Sequence, residues 1–367
     1  MTGTRADFGK VEPLAIAARD AGYEVGFWVT GMHMLDRYGL TKIEVQKTTG
    51  VQVHEFLNQR VEDPQDIVLA KTVLGFSDFV HEHAPDLVVV HGDRVEALAC
   101  ALVCATNYIR CAHIEGGEVS GTIDELFRHC NSKLAYCHFV SSEDARDRVR
   151  RLGESEESIH VIGSPELDFH SRPSGISLAE VRNRYDIGFS DYGVCTFHTV
   201  TSETEDIGAQ ARELFGALEE SNRDFVVILP NNDPGASEIV AAIENLPKDR
   251  FRVIPSMRFA HFSELMRNAA CIVGNSSAGV REAPFMGVPS LDIGTRQSKR
   301  ANAGSITHCS AFDRQAIAEF LDTQWQKRHP QDGGFGQGNA AARFVETLKD
   351  PGFWERGFQK NFADHGE

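Results

Sequence analysis

Short, wholly apolar runs alternate with amphipathic stretches along most of the chain, and residues 86–128 show the pattern most clearly. Positions 87–90 read Leu-Val-Val-Val, the signature of a strand buried on both faces in a parallel sheet. The run stops at His91, Gly92, Asp93 and Arg94, where glycine permits a tight turn and polar side chains emerge. Helical spacing follows over 95–106, then a second strand over 109–114 that ends in Glu115, Gly116, Gly117 and Glu118. Upstream, 11–21 reads as a helix and 23–30 as a strand, 41–60 is mixed and polar, and 67–83 is helical. Downstream, the pattern predicts a helix from 123 to 135, a strand over 136–141, a charged helix over 143–152 and a short strand that breaks at Gly163 and Pro165.

The alternation restarts after that break. Helices are expected at 178–185, 207–220, 262–268, 278–285 and 340–349, and strands at 192–197, 225–229, 251–254, 271–273 and 290–293. The fold class is therefore α/β, with two doubly wound parallel sheets and a domain boundary near 165. The first domain is expected to run 1–165 and the second 166–345. The glycine-rich stretch 333–339 lacks both a preceding strand and the Lys-Ser/Thr of a phosphate loop, so it reads as a turn.

A length of 367 residues fits two cores rather than one. A formal charge of −16 argues against a general nucleic-acid or anionic-membrane surface. No apolar run approaches the roughly 20 residues that span a bilayer, and no secretory signal pattern is present, so the expected location is the cytoplasm. The eight cysteines form no Cys-x-x-Cys pair and sit among apolar neighbours, which reads as reduced core thiols. His81, Glu82 and His83 resemble a metal cluster, but adjacent helical residues point apart.

Open α/β sheets bind ligands beyond the carboxyl ends of their strands. Two successive strands deliver Asp93, Glu115 and Glu118 to one rim, and Asp124, Glu125 and Arg128 follow on a helix. Carboxylates gathered without matching cations raise one another's pKa, the usual route to acid/base groups near neutral pH; any one of them could equally cap a helix. In the second half, a strand ending at Gly274 leads to Asn275, Ser276 and Ser277 at a helix start, an anion site suited to a diphosphate, or simply a helix cap. Glu282, farther along that helix, suits a ribose diol. Arg296, Lys299 and Arg300 are candidates for phosphate charge, and Arg258, ahead of a helix, is a weaker one. His198 ends the first strand of the second domain, where a histidine can protonate or hold a leaving phosphate; it is expected to face the carboxylates across a cleft. His33, His91 and His113 stay open between structural and chemical roles.

The N-terminal residues form a loop entering a helix, with Gly3 for the turn and Arg5 to meet an anion. Such a loop normally follows a buried strand, so a first strand is expected ahead of Thr2.

These stretches together resemble the hydrolysing UDP-N-acetylglucosamine 2-epimerases. The matching segments are GTRAD (3–7), VTGMH (29–33), HGDR (91–94), HIEGGEVSGTID (113–124), RH (128–129), SPELD (164–168), FH (197–198), NSS (275–277) and REAP (281–284). The resemblance implies two Rossmann-like domains with an interdomain cleft, as in GT-B glycosyltransferases, and a C-terminal helix, here 354–362 within a segment 346–367, returning to the first domain. It implies loss of the sugar C2 proton with departure of UDP from C1, a 2-acetamidoglycal, and addition of water to release N-acetylmannosamine, with no metal or nicotinamide cofactor. Carried over by position, Asp93, Glu115 and Asp124 are the acid/base candidates, organised by Arg128, with His198 assisting the leaving diphosphate. Arg5, Ser276 and Ser277 would hold phosphates and Glu282 the ribose, and the segments containing His33, Arg258 and Arg296 would line the nucleotide-sugar site. Sialic or legionaminic acid synthesis is the setting the family suggests, and dimers or tetramers its assembly. The alternatives are the same reaction on UDP- or GDP-N,N'-diacetylbacillosamine, a GT-B glycosyltransferase needing an acceptor, and a non-catalytic sugar-nucleotide sensor.

Overall fold

The computed structural model describes the chain except residues 62, 120–122, 201, 202, 204, 231–234 and 365–367, with the backbone alone at 123 and 124. It divides into two compact units, Met1–Ser171 with Phe335–Glu367, and Arg172–Gly334.

The first unit holds β1 (Gly26–Val29), β2 (Gln52–Glu55), β3 (Leu87–His91), β4 (Arg110–Ile114), β5 (Cys137–Val140) and β6 (Ile159–Val161). All pairings are parallel, in two sheets ordered β1-β2 and β3-β4-β5-β6. β5 is buried at every position, as a strand covered on both faces must be. Between the two sheets the chain start runs extended for two residues: Thr2 bridges Val29, and the Met1 amine donates to Val89 O at 2.9 Å. Thr4 then caps the helix Arg5–Asp20 in a capping box with Asp7, an arrangement worth about 1 kcal/mol.

The C-terminal return begins earlier than the sequence suggested. The helix Ala340–Lys349 belongs to the first unit, where Phe344 and Leu348 pack with Leu14 and Phe139. Its first amides, on Ala340 and Ala341, each donate to the Asp168 carboxylate at 2.7 Å, which explains why an aspartate closes the SPELD segment. The expected helix over 354–362 is corrected. A short helix ends at Glu355, and the chain beyond it is held by side chains instead. Lys360 Nζ donates to the carbonyls of Ser132, Lys133 and Ala135, and the Arg356 guanidinium lies over the Tyr136 ring.

The second unit contains β7 (Gly193–Thr196), β8 (Phe225–Ile228), β9 (Phe251–Ile254), β10 (Ile272–Gly274), β11 (Ser290–Ile293) and β12 (Ile306–Cys309). One parallel sheet is ordered β12-β11-β10-β7-β8-β9, so the winding reverses between β7 and β10. Apolar clusters cover both faces, one around Phe197, Leu214 and Phe225, the other around Tyr192, Val226 and Leu265. The expected helix over 278–285 is broken at Arg281 into Ser277–Val280 and Glu282–Phe285. Pro284, which has no amide to donate, lies just past the break.

Candidate active site

In the first unit, the carboxyl ends of β3 and β4 carry the polar cluster. Gly92 O accepts from His113 Nε2 at 2.7 Å and Asn131 Nδ2 at 3.0 Å, while Ser132 Oγ lies 3.1 Å from His113 Nδ1. Burial drives His113 down to about 3, so the ring is neutral and serves to fix the turn that presents Asp93. Asp93 is ion-paired with Arg128, whose other arm donates to Glu118 O at 2.9 Å. Arg128 reaches Asp93 from the helix Ile123–Leu134 and is itself buried.

Glu115 sits at φ +64, a left-handed conformation that costs a non-glycine residue about 1–2 kcal/mol. Its amide is held by Phe139 O, and its carboxylate meets Lys10 Nζ at 2.8 Å, Ser164 Oγ at 3.3 Å and His91 Nε2 at 3.2 Å. The last is proximity without hydrogen-bond alignment. Glu166 joins from the far side, 3.6 Å from Lys10 and 2.7 Å from Ser164 Oγ. Gly117 must be glycine: φ is +78, and a Cβ would stand 2.2 Å from Ala145 O. Glu118 is buried and accepts from Ser141 Oγ.

The expectation of carboxylates without cations is thereby corrected. Arg128 matches Asp93 and Lys10 matches Glu115, because a buried carboxylate cluster needs compensating charge. Lys10 and Glu166 escaped the sequence reading. Lys10 sits on a helix with no local motif, and Glu166 lies in the quoted SPELD segment without an assigned role. The Asp124 side chain lies outside the described residues.

The remaining first-unit candidates separate. Arg5 is partly exposed in the first turn of its helix, with Nε 3.7 Å from Glu44 Oε2. His33 is fully buried, its ring nitrogens 2.9 Å from Thr2 Oγ1 and 2.7 Å from Thr41 Oγ1. Burial lowers its pKa, so it pins the chain start as a neutral ring. Asp7, beside it, is pushed up by burial, but hydrogen bonds from the Thr4 hydroxyl and Gly3 amide outweigh that and hold it below the ordinary carboxylate range.

In the second unit, the winding reversal sets the ends of β7 and β10 side by side. Asn275 clamps the His198 backbone, its Oδ1 accepting from His198 N at 2.7 Å and its Nδ2 donating to His198 O at 2.8 Å. The Asn275 carbonyl in turn receives Arg296 Nη1 at 3.0 Å and Gln297 Nε2 at 2.9 Å. Gly274, at φ +131, lies so close to β7 that a Cβ would be 2.1 Å from Thr196 O. Ser276 caps the next helical turn, Ser277 opens it, and Glu282 is buried after the break. Burial, followed by the charge of Arg296, takes His198 down to about 3, so near neutrality it is a hydrogen-bonding ring and not a standing acid. Arg258 is exposed at the start of the helix Phe259–Asn268. Asn275 lies in the quoted NSS segment, but the sequence reading assigned it no role of its own beside the two serines.

Two parallel α/β units, one with charged residues at its strand ends and the other doubly wound with a serine turn at its winding reversal, have counterparts among known proteins. Residues 16–349 match the family model described as UDP-N-acetylglucosamine 2-epimerase. The chain belongs to that family. A UDP-N-acetylglucosamine 2-epimerase of Neisseria meningitidis serogroup B is 40% identical over 368 residues, covering 99% of this chain and 98% of the relative. A hydrolysing UDP-N,N'-diacetylbacillosamine 2-epimerase of Legionella pneumophila is 29% identical, covering 95% and 94%. The fold resembles the Methanocaldococcus jannaschii UDP-GlcNAc 2-epimerase solved with UDP-GlcNAc and UDP, with a TM-score of 0.79 at 19% identity, covering 94% of this chain and 97% of that one. This family member is therefore an enzyme of α/β architecture, and among its described residues no helix is long and apolar enough to cross a membrane.

Proposed function

We propose that this epimerase is of the hydrolysing kind and converts UDP-N-acetylglucosamine and water to N-acetylmannosamine and UDP. The observation that carries the reading is the pair of cation-matched carboxylates at the ends of β3 and β4, Asp93 with Arg128 and Glu115 with Lys10. The reaction needs one group to take the C2 proton and another to return a proton to C2 from the opposite side. Two separately fixed carboxylates suit that division of labour, and Ser164, Glu166 and His91 around Glu115 offer it proton partners.

In the first stage the C2–H bond breaks toward a carboxylate, the C1–O bond breaks with its electrons leaving on UDP, and the C1–C2 double bond of a 2-acetamidoglycal forms. In the second, water adds hydroxide at C1 and a proton enters at C2 on the other face. Asp93, Glu115 and Asp124 are assigned to these proton transfers, with Arg128 positioning Asp93. His198 donates a hydrogen bond to the departing diphosphate as a neutral ring. Ser276, Ser277, Arg5, Arg258 and Arg296 are assigned to phosphate and Glu282 to the ribose diol, where two hydroxyls can donate to one carboxylate. His33 supports the loop that carries Arg5. A dimer or tetramer is the expected assembly, checked by light scattering.

The same chemistry on UDP- or GDP-N,N'-diacetylbacillosamine is the second reading, favoured by the Legionella relative. The higher identity to the Neisseria protein supports UDP-N-acetylglucosamine as the first reading. The test is incubation with each of the three sugar nucleotides, without acceptor or added metal, followed by product analysis. A free C2-inverted sugar and nucleoside diphosphate from UDP-N-acetylglucosamine is the expected result. Conversion to a sugar still attached to UDP would reject the hydrolysing assignment.

A further inference from the structure

A second carboxylate stands behind Glu115. Glu166 opens the short helix Glu166–His170, and its side chain is 4% exposed, against 7% for Glu115 and 18% for Lys10. Lys10 Nζ lies 2.8 Å from Glu115 Oε1 and 3.6 Å from Glu166 Oε1, so its charge serves Glu115 first. Of the other ionisable groups nearby, His91 Nε2 faces the far Glu115 oxygen at 3.2 Å, and the Asp168 carboxylate accepts from the Ala340 and Ala341 amides. Two buried carboxylates around one ammonium repel each other as anions, and one retained proton relieves that repulsion. The Ser164 hydroxyl lies between them, 2.7 Å from Glu166 Oε2 and 3.3 Å from Glu115 Oε1, and is itself buried. A hydroxyl has one hydrogen and donates to one carboxylate at a time. For both contacts to be hydrogen bonds at once, the other carboxyl must bring a proton of its own and donate it to Ser164 Oγ.

We infer that Glu166 holds a proton in common with Glu115 across the Ser164 hydroxyl and acts as the proton store of Glu115. The inference rests on the assignment of Glu115 to proton transfer at the sugar C2. In the resting site Lys10 keeps Glu115 charged, Glu166 is a carboxylic acid that donates to Ser164 Oγ, and Ser164 donates to Glu115. Transfer breaks the Ser164 O–H bond toward Glu115 while the Glu166 O–H bond breaks toward Ser164 Oγ. The hydroxyl ends as it began, Glu115 gains the proton that Glu166 loses, and Glu166 recovers one from solvent after the products leave. Glu166 touches no reacting atom and works only through Glu115, so it is a positioning residue for a proton. Glu115 is thereby supplied while enclosed, without bulk water being admitted beside the glycal. The two carboxyls then titrate as a pair, and the shared proton is lost only at the higher of their two steps.

The test labels the glutamate carboxyls of the full chain with carbon-13 and reads them by NMR at pH 7. One resonance, absent from Glu166→Gln, is expected to keep the chemical shift of a protonated carboxyl. With UDP-N-acetylglucosamine, Glu166→Gln should lower kcat at least about tenfold with KM within about twofold of the parent. It should also move the alkaline limb of the kcat profile to lower pH by about one unit or more, because Glu115 then faces Lys10 alone. Ser164→Ala should lose a similar factor in kcat, add little to Glu166→Gln in the double variant, and be largely rescued by Ser164→Thr, which restores the hydroxyl. A parent whose glutamates are all charged at pH 7 overturns the inference, as does Glu166→Gln with the kcat and pH profile of the parent. Should Glu166→Gln fail to fold, Glu166→Asp, one methylene shorter, takes its place with the same expected and overturning results. If the parent releases no UDP from any sugar nucleotide, the reading of the site fails, and the carboxyl resonance decides the shared proton by itself.

Discussion

Glu154 offers a quantitative test of what holds the helix that presents Arg128. Its carboxylate is 1% exposed and takes Lys133 Nζ at 2.6 Å, Lys360 Nζ at 2.5 Å and His138 Nε2 at 3.1 Å. Burial opposes its charge, but His138 and the two lysines more than offset that, and the pKa falls from 4.5 to about 2. The charged form is therefore favoured in the folded state by about 2.5 pKa units, which at 1.36 kcal/mol each is about 3 kcal/mol. A depressed carboxylate contributes this fully above pH 4.5 and loses it as pH falls toward 2. Glu154→Gln keeps the shape and removes the charge. In urea unfolding at pH 7, with an m-value of roughly 2 kcal/mol/M, the midpoint of the first unit should drop by about 1.5 M. By pH 3 the difference should shrink to less than half. Trp28 and Trp354 report on this unit, and Trp325→Phe in both proteins silences the signal of the other. A midpoint change worth under about 1 kcal/mol at pH 7, or one that does not narrow on acidification, would refute the reasoning.

Other consequences are as direct. Asp93→Asn and Glu115→Gln should each lower kcat by roughly 100-fold or more while leaving UDP affinity by calorimetry near the parent value; near-normal turnover in both would remove the acid/base assignment. Gly274→Ala places a methyl 2.1 Å from Thr196 O at a left-handed φ, so its Tm should fall by at least about 5 °C and soluble yield with it. His198, with its pKa lowered to about 3, takes up no proton in the folded state as pH drops below 6.5, whereas the unfolded chain does. Stability of the second unit should therefore fall with pH from about 6.5 downward, and His198→Gln should flatten that slope in pH-dependent thermal melts.

Much of the frame was legible in the sequence because buried parallel strands are locally unmistakable. The runs at 87–90 and 225–229 are short, apolar and bounded by turns, and they became β3 and β8; 251–254 and 290–293 each carry charged or polar residues among apolar ones, yet they too became strands, β9 and β11. Edge elements were not legible. β12 has two exposed central residues, Thr307 and His308, and β2 is polar, so neither carries a burial pattern that distinguishes a strand from a loop. The C-terminal 354–362 stretch looked helical by resemblance, yet beyond Glu355 its aromatic and basic residues are spent on Tyr136, Arg110 and the end of the Ile123–Leu134 helix. For the site, residue types at strand ends pointed to Asp93, Glu115, Arg128, His198 and the two serines. The partners that set their charge state, Lys10 and Glu166, and the Asn275 clamp come together only through tertiary packing. His33 had the right local context for a ligand, but two threonines from separate segments enclose it.

The most direct test of the account is the fate of oxygen and hydrogen during turnover. The enzyme is incubated with UDP-N-acetylglucosamine in water carrying oxygen-18, and separately in heavy water, and products are read by mass spectrometry and NMR. Elimination followed by hydration predicts oxygen-18 at C1 of free N-acetylmannosamine, none in UDP, and deuterium at C2. Label in UDP, or a free sugar that keeps its original C2 hydrogen, would contradict it.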